Sequence, residues 1–483
     1  MNTVVSYLVN ISSLIKCIFM GETTELTKTV KASFGKQGRD LTKGSIFNNL
    51  LSISWPIIIS NVLNSIGPTI DLIWVGKLGA ASVAGVGVAG MMVQLLDALK
   101  MGLDMGTRAL IARAVGAGDT KRANHIALQG YVVTIGFAAI VGTLGAILAA
   151  PILQLFGLSP DVVAQGAPYL RIQFIGILTM GIVRQNEGTM MSSGDTINPM
   201  RISIVYRLFH IALCPFLVFG WWIFPQLGTS GAAWTGIISA CLGSILGLWF
   251  LLSGNTRLKL RFKEFHPDPG IIWRVLKIGV PASITTMQRN LGQLILTWFV
   301  MPFGTVAVAA HTLTQQVDQF MYIAGTGLGQ ASGVLAGQNL GANQPQRAEK
   351  SAWYSIMLGT VIMVIGSIVI LLWGRNLVAI FNNEADLVAM GNTFLRIQII
   401  TYLVYGFALV IQQCLNGVGD TIPVMLVVLI SIFVVQIPLA FLLTRYTGLG
   451  VYGTRWAMVI GTVVMVVCYV VYFKLGRWKR QMV

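Results

Sequence analysis

Long apolar runs, separated by short polar segments, follow one another along almost the whole chain. A membrane-spanning helix needs about 20 mostly apolar residues, and each of these runs reaches that length. Open sheets cannot span lipid, and the alternating pattern of a barrel strand is absent, so the runs predict helices. The expected spans are residues 46–75, 82–114, 123–150, 162–192, 199–222, 232–252, 271–300, 306–335, 348–373, 387–417, 423–443 and 454–473.

Composition agrees with a membrane protein, and the charge distribution orients it. The chain is 55% hydrophobic and 10% charged, whereas a soluble domain carries about 25% charged residues. A net charge of +16 would suggest nucleic-acid binding in a soluble protein, but the basic residues gather in alternate loops, as the positive-inside rule requires. We therefore expect the lipid bilayer and not nucleic acid as partner, a multi-pass plasma-membrane protein and cytoplasmic termini. The expected loop with Arg445 and Arg455 fits this rule least well.

The second half of the chain repeats the first. Each half holds six spans, and because six is even, both halves enter the membrane in the same sense and form parallel repeats. Such folds place the substrate near the membrane midplane, between or within two lobes, and expose it by alternating access. Matching motifs are separated by a constant 225 residues: Pro56 and Pro281, Gly79 and Gly304, Gly116 and Gly341, Arg171 and Arg396, Asp195 and Asp420.

The repeat and the basic loops predict an all-α integral membrane fold: twelve transmembrane helices as two parallel six-helix repeats. An N-terminal tail at 1–45 has no basic leader or small-residue cleavage site, so we expect a mobile or interfacial tail and not a signal peptide. The other expected parts are an N-lobe at 46–254, a cytoplasmic linker at 255–270, a C-lobe at 271–474 and a cytoplasmic tail at 475–483.

Two Gly-Asp-Thr segments, at 194–196 and 419–421, follow the fourth and tenth spans. The glycine is suited to a positive φ after a helix, and the aspartate to capping the next helix. We expect both segments to be scaffold and not ligand contacts.

Several motifs together resemble one known family, the multidrug and toxic compound extrusion (MATE) transporters. They are Pro56 with Asp71 and "WVGKLG", "RALIARAVGAGD" after span two, Gly-Asp-Thr-x-x-Pro after span four, "AAHTLTQQV" in span eight and "GQNLGAN" after it. The resemblance covers about residues 45–475. It implies two six-helix lobes in a V shape and export of mostly cationic, amphipathic compounds, driven by Na⁺ or H⁺.

The family's usual sodium sites are incomplete in this sequence. The NorM-like branch has a glutamate in span seven where this chain has Arg289, and an aspartate in span ten where it has Tyr405. The DinF-like branch has an asparagine and an aspartate in span five where His210 and Cys214 stand. Of the family's carboxylates at these sites, only Asp71 of span one is kept.

Other charges lie inside the predicted spans, where an ionisable group is by default a functional hypothesis. Span two carries Asp97, Lys100, Asp104 and Arg108, spaced three and four apart. This spacing predicts either a self-neutralised ladder on one helix face or a polar wall of the substrate cavity.

Span four carries Arg184 and Glu187, which we expect either as an ion pair or as part of the cavity. Glu187 is placed to pair with Arg184 or with an arginine of span five. The C-terminal half offers Arg289 and Asp318 as further cavity residues, beside Tyr405.

Asp71 is the candidate for ion coupling. It has no basic residue three or four positions away, and Pro68 before it predicts a helix break, because proline removes a backbone hydrogen bond. The alternative is a kinked helix whose carboxylate is paired across helices. Because His210 brings an imidazole suited to proton transfer, we predict H⁺ coupling through Asp71, assisted by His210. The alternatives are that His210 is an ordinary interior histidine, or that Glu187 or Asp104 completes a Na⁺ site.

The predicted function is that of a secondary exporter. No His/Cys/Asp metal spacing, nucleophile–base arrangement or GxxxxGK[ST] loop is found, so we expect neither an enzyme nor ATP-driven transport, and no cofactor besides the coupling ion. His125, His266 and His311 are expected in loops or at helix ends, and the cysteines as buried hydrophobes. We expect a monomer that exports cationic amphipathic molecules. The alternative is a flippase or exporter of lipid-linked or amphipathic metabolites.

Overall fold

Twelve long helices make up the protein in a computed structural model, which describes residues 40–480 except 156, 158 and 381–383. Each predicted span corresponds to one helix, so the all-helical prediction is confirmed, whereas the expected tail at residues 1–39 lies outside the described residues. The helices are α1 Ile46–Val75, α2 Ala80–Gly116, α3 Thr120–Leu155, α4 Pro160–Ser192, α5 Ile197–Phe219, α6 Thr229–Ser253, α7 Pro269–Val300, α8 Thr305–Gly341, α9 Pro345–Ala379, α10 Ala385–Val418, α11 Thr421–Arg445 and α12 Tyr452–Leu475.

Ten of these helices are long and apolar enough to cross a membrane by length and composition. The other two are α7, with 32 residues, and α8, with 37 residues. Their length exceeds what a bilayer needs, but α7 carries Arg289 and α8 carries Asp318. These two helices therefore carry the two ionisable residues of the second half that were predicted as cavity residues.

The two halves share their turns as well as their helices. Gly79 and Gly304 have φ of 115° and 92°. Gly118 has φ of 78°, and at the equivalent position Asn343 has φ of 56°, which asparagine tolerates better than most residues. Equivalent loops of the two six-helix repeats thus share their backbone conformation.

The Gly-Asp-Thr segments behave as scaffold. Gly194 and Gly419 have φ of 94° and 87°. Asp195 accepts a hydrogen bond from the backbone nitrogen of Asn198 at 3.2 Å, as predicted for a cap. Asp420 instead accepts from the hydroxyl of Tyr472 at 2.7 Å, so it links two helices and does not cap its own.

The lobes pack against each other at one end, which we call the basic end because the loops after α2, α6, α8 and α12 lie there. Helices α2 and α8 cross at their C-terminal ends. A Cβ on Gly116 would lie 2.0 Å from the carbonyl oxygen of Gln338, and one on Gly341 would lie 2.1 Å from that of Arg113. Glycine is required at both positions, because any side chain would meet the backbone of the other lobe.

Apolar packing between the lobes is found at the same end. Leu50, Ile53 and Ile57 of α1 form one buried cluster with Leu328 and Leu335 of α8. At the opposite end the clusters stay within one lobe, as for Val75 and Val86 with their neighbours in the first lobe and for the clusters around Val300 and Leu296 in the second. The cleft between the lobes is therefore closed at the basic end and open at the other.

The segment between α6 and α7 is held against α3. The side chain of Asn124 accepts from the backbone nitrogen of Arg261 at 3.0 Å and donates to its carbonyl oxygen at 3.3 Å. Asp268 caps α7 by accepting from the backbone nitrogens of Ile271 and Gly270. These bonds, with that to Ile271 the strongest, hold the pKa of Asp268 below its ordinary value.

Three local predictions are wrong. Arg455 is not in a loop but in the first turn of α12, and His311 lies inside α8; both are fully buried. They are buried because they satisfy each other, with a guanidinium nitrogen of Arg455 3.0 Å from His311 Nδ1. The helix also continues through Pro68 from Ile46 to Val75, because a proline removes only one backbone hydrogen bond from a well-packed helix.

Candidate functional site

A buried polar cluster joins α1 and α5 in the first lobe. Oδ1 of Asp71 lies 3.0 Å from Nε2 of His210 and 3.7 Å from Sγ of Cys214. His210 and Cys214 are four residues apart on α5 and therefore share a helix face. Asp71 has no basic partner on its own helix, as the spacing indicated, and its partners come from α5.

The neighbour of His210 fixes its tautomer. A guanidinium nitrogen of Arg207 lies 3.2 Å from Nδ1 of His210. Because a guanidinium only donates hydrogen bonds, Nδ1 accepts, and the ring proton of the neutral imidazole is on Nε2, from which it is donated to Asp71. The result is a chain from a cation, through a neutral imidazole, to a carboxylate.

Gly67 of α1 makes room for this chain. A Cβ at residue 67 would lie 1.9 Å from a guanidinium nitrogen of Arg207. The glycine thus lets Arg207 of α5 lie directly against α1, one turn before Asp71.

Three possible metal-ligand atoms, from Asp71, His210 and Cys214, lie within 4.8 Å of one another. Na⁺ and other hard cations prefer several oxygen ligands, but of these three atoms only that of Asp71 is an oxygen. The Nε2 proton points at Asp71, and the positive charge of Arg207 lies next to the imidazole. The arrangement suits hydrogen bonding better than coordination of a cation.

The charges of α2 do not form the predicted ladder. Lys100 and Asp104 form a buried ion pair within α2. Asp97 instead pairs across helices with Arg184 of α4, at 3.0 Å, and their side chains are 46% and 35% exposed. Because a charge facing lipid at mid-helix is costly, we infer that this half-exposed pair faces the cleft.

Among the described residues Glu187 forms no close ion pair, although Arg184, Arg108 and Arg207 attract its carboxylate from a greater distance. Glu187 is buried and accepts a hydrogen bond from the hydroxyl of Ser203 at 2.8 Å, while Arg184 is turned toward Asp97. Arg108 donates to the carbonyl oxygen of Arg184 at 3.5 Å. Glu187 and Asp104 are therefore interior groups bonded to Ser203 and Lys100, respectively. Neither belongs to the cluster of Asp71, His210 and Cys214.

In the second lobe, α7 and α10 bring Arg289 and Tyr405 together. A guanidinium nitrogen of Arg289 donates to the hydroxyl of Tyr405 at 3.0 Å, and a second one donates to the amide oxygen of Gln412. The ring of Tyr322, from α8, lies 4.7 Å from that of Tyr405. Arg289 and Tyr405 thus meet in one polar and aromatic pocket, which we call the Arg289 pocket.

Asp318 belongs to a separate buried network. It accepts from the hydroxyl of Tyr402 and lies 3.8 Å from a guanidinium nitrogen of Arg455. The network was missed because Arg455 was expected in a loop. The repeat contained the signal, since "GTRW" of α12 matches "GAAW" of α6 and places Arg455 opposite the buried Ala233.

Comparisons with known proteins agree with this architecture. The MatE family model matches residues 56–216 and 281–442, one segment in each repeat. The probable multidrug resistance protein YoeA of Bacillus subtilis is 27% identical over 85% of this chain and 90% of its own length. The probable multidrug resistance protein NorM of Thermotoga maritima is 24% identical over 91% of this chain and 94% of its own length.

Solved structures share the fold. A multidrug resistance MATE family transporter in an outward-facing conformation superposes with a TM-score of 0.84 and 22% identity, over 92% of this chain and 97% of that one. A MOP superfamily transporter from Pyrococcus furiosus gives 0.85 and 20% identity, over 92% of this chain and all of the other. With the family model matching both repeats, this multi-pass membrane protein belongs to the MatE family.

Proposed function

We propose that the protein is an H⁺-coupled exporter of amphipathic organic compounds, with Asp71 as the proton carrier. The observation that carries this proposal is the buried contact of 3.0 Å between Nε2 of His210 and Oδ1 of Asp71. The names of the relatives, which refer to multidrug resistance, support the substrate class. Both termini would face the cytoplasm, because the basic end carries most loop lysines and arginines.

Protonation of Asp71 would change the contact between α1 and α5. When Asp71 is ionised, it balances the charge of Arg207 through His210. When it is protonated, Nε2 of His210 loses its anionic acceptor and Arg207 loses its counter-charge. A proton at this site therefore favours a different packing of α1 on α5, which is the kind of two-state element that transport requires.

His210 assists by holding the side chain of Asp71 in place through its Nε2–H group, and it does not carry the transported proton itself. Its Nδ1 is engaged by Arg207, so a second proton there would face a guanidinium. Sodium coupling is disfavoured at this site because only one of the three grouped ligand atoms, that of Asp71, is an oxygen, whereas hard cations prefer several.

The experiment is export of two labelled amphipathic compounds, an organic cation and a carboxylate, from proteoliposomes under a pH gradient without Na⁺, and under a Na⁺ gradient at constant pH. Asp71→Asn should retain folding and lose export driven by the pH gradient. Asp386→Asn, the same change at an exposed residue at the start of α10, serves as control. Export by the unmodified protein that requires Na⁺ and ignores the pH gradient would contradict the proposal.

A further inference from the structure

Arg289 is a membrane-embedded cation with only neutral partners. Its guanidinium donates to Tyr405 and Gln412, and its Nε is buried without a hydrogen-bond partner. The ionisable side chains that interact electrostatically with it are three tyrosines, Tyr322, Tyr405 and Tyr469. Among the described residues, therefore, no carboxylate neutralises Arg289.

The buried carboxylate of α8 is already engaged elsewhere. Asp318 is held by Arg455 and Tyr402. With Asp318 ionised and paired with Arg455, Arg289 is left without a carboxylate partner, because the other buried carboxylate of this lobe, Asp420, accepts from Tyr472 and is attracted by Arg113.

The carboxylates of α2 and α4 in the first lobe are not free either, because Arg184, Arg108 and Arg207 attract the carboxylate of Glu187. Asp97 pairs with Arg184, and Asp104 pairs with Lys100. In the state described, an organic cation in the cleft would thus have to displace an existing partner, whereas an anionic group would find Arg289 available.

We propose that the Arg289 pocket binds the anionic group of an amphipathic substrate. The planar guanidinium has five N–H donors in a fork that fits a carboxylate or a phosphate, and two of them are used by the neutral partners named above. The paired rings of Tyr322 and Tyr405, 4.7 Å apart, offer an aromatic surface beside the charge. This assignment rests on the proposed function, and it replaces the expected cationic substrate with one that carries a carboxylate or phosphate.

The test is equilibrium binding of a matched set of fluorescent probes to the purified full-length protein in detergent. N-dansylglycine carries a carboxylate, its amide is neutral, and mono-dansyl ethylenediamine is a cation. The unmodified protein should bind the carboxylate about 10- to 100-fold more tightly than the amide or the amine, the range expected for hydrogen bonds to a charged group.

Three variants test whether Arg289 causes the preference for the carboxylate probe. Arg289→Gln should abolish the preference, Arg289→Lys should keep part of it, and Arg396→Gln, the same change at an exposed position of α10, should leave it intact. Thermal unfolding in detergent checks that each variant is folded. Equal or tighter binding of the amine, or a preference that survives Arg289→Gln in folded protein, would overturn the proposal.

Competition with short-chain phosphatidic acid identifies the source of the anion. Displacement of the carboxylate probe places a lipid phosphate in the same pocket, whereas the absence of displacement restricts the pocket to carboxylates; both results support an anion site. Because binding needs no gradient, failure of H⁺-driven export would refute the proposed function and leave this assignment standing.

Discussion

The crossing of α2 and α8 makes a sharp prediction about how the transporter changes state. In Gly116→Ala, the new Cβ would lie 2.0 Å from the carbonyl oxygen of Gln338. An ordinary contact needs about 3.5 Å, so the backbones would have to part by roughly 1.5 Å. Overpacking of this kind costs about 1–3 kcal/mol, and only the state closed at the basic end bears that cost. The equilibrium should therefore move about 5- to 150-fold toward the state open at that end.

Distances between spin labels at Trp222 and Tyr446 report this equilibrium. These residues are 86% and 74% exposed, one in each lobe, at the end where the cleft is open. In Gly116→Ala the distance distribution should shift to shorter values as that end closes. Gly136→Ala is the matched control, because a Cβ there meets nothing within 4 Å. An unchanged distribution in a folded Gly116→Ala protein would refute the packing argument.

Two further predictions follow from single contacts, and a third follows from the distribution of basic residues among the loops. Arg455→Leu should destabilise the protein by about 3–5 kcal/mol because it leaves the carboxylate of Asp318 buried without a counter-charge. In thermal unfolding, the double variant Arg455→Leu/Asp318→Leu should recover most of this loss. If the double variant instead loses the sum of the two single losses, Arg455 and Asp318 do not form a pair. Gly67→Ala should lose pH-driven export because its Cβ would lie 1.9 Å from a guanidinium nitrogen of Arg207. Gly76→Ala, whose Cβ would meet nothing within 4 Å, should keep it. Equal export by the two variants would show that Arg207 has no part in coupling. Cysteines at Pro225 and Phe265 should react with impermeant reagents from opposite sides of the membrane, and reaction of both from one side would contradict the topology.

The sequence predicted the helices and the repeat well because both depend on local or periodic signals. Hydropathy located each span, and the constant offset linked Gly116 to Gly341 before their contact was known. Glycine occurs at both positions for a physical reason, because Gly116 and Gly341 each lie against the backbone of the other lobe. Loop conformations such as those of Gly194 and Gly419 were predictable for the same local reason.

Partners across helices were not predictable. The three-and-four spacing rule applies within one helix, and it identified Lys100 with Asp104 but missed Asp97 with Arg184. Asp71 and His210 were both singled out, but their contact spans 139 residues of sequence. It depends on how α1 and α5 are rotated about their axes, which hydropathy does not define.

Proton release on substrate binding tests the account most directly. A substrate is added to the purified protein in weakly buffered, Na⁺-free detergent solution with a pH indicator dye. Competition between substrate and proton predicts that the unmodified protein releases protons when the substrate binds, and that Asp71→Asn releases none. Binding that needs Na⁺ and releases no proton would contradict H⁺ coupling through Asp71.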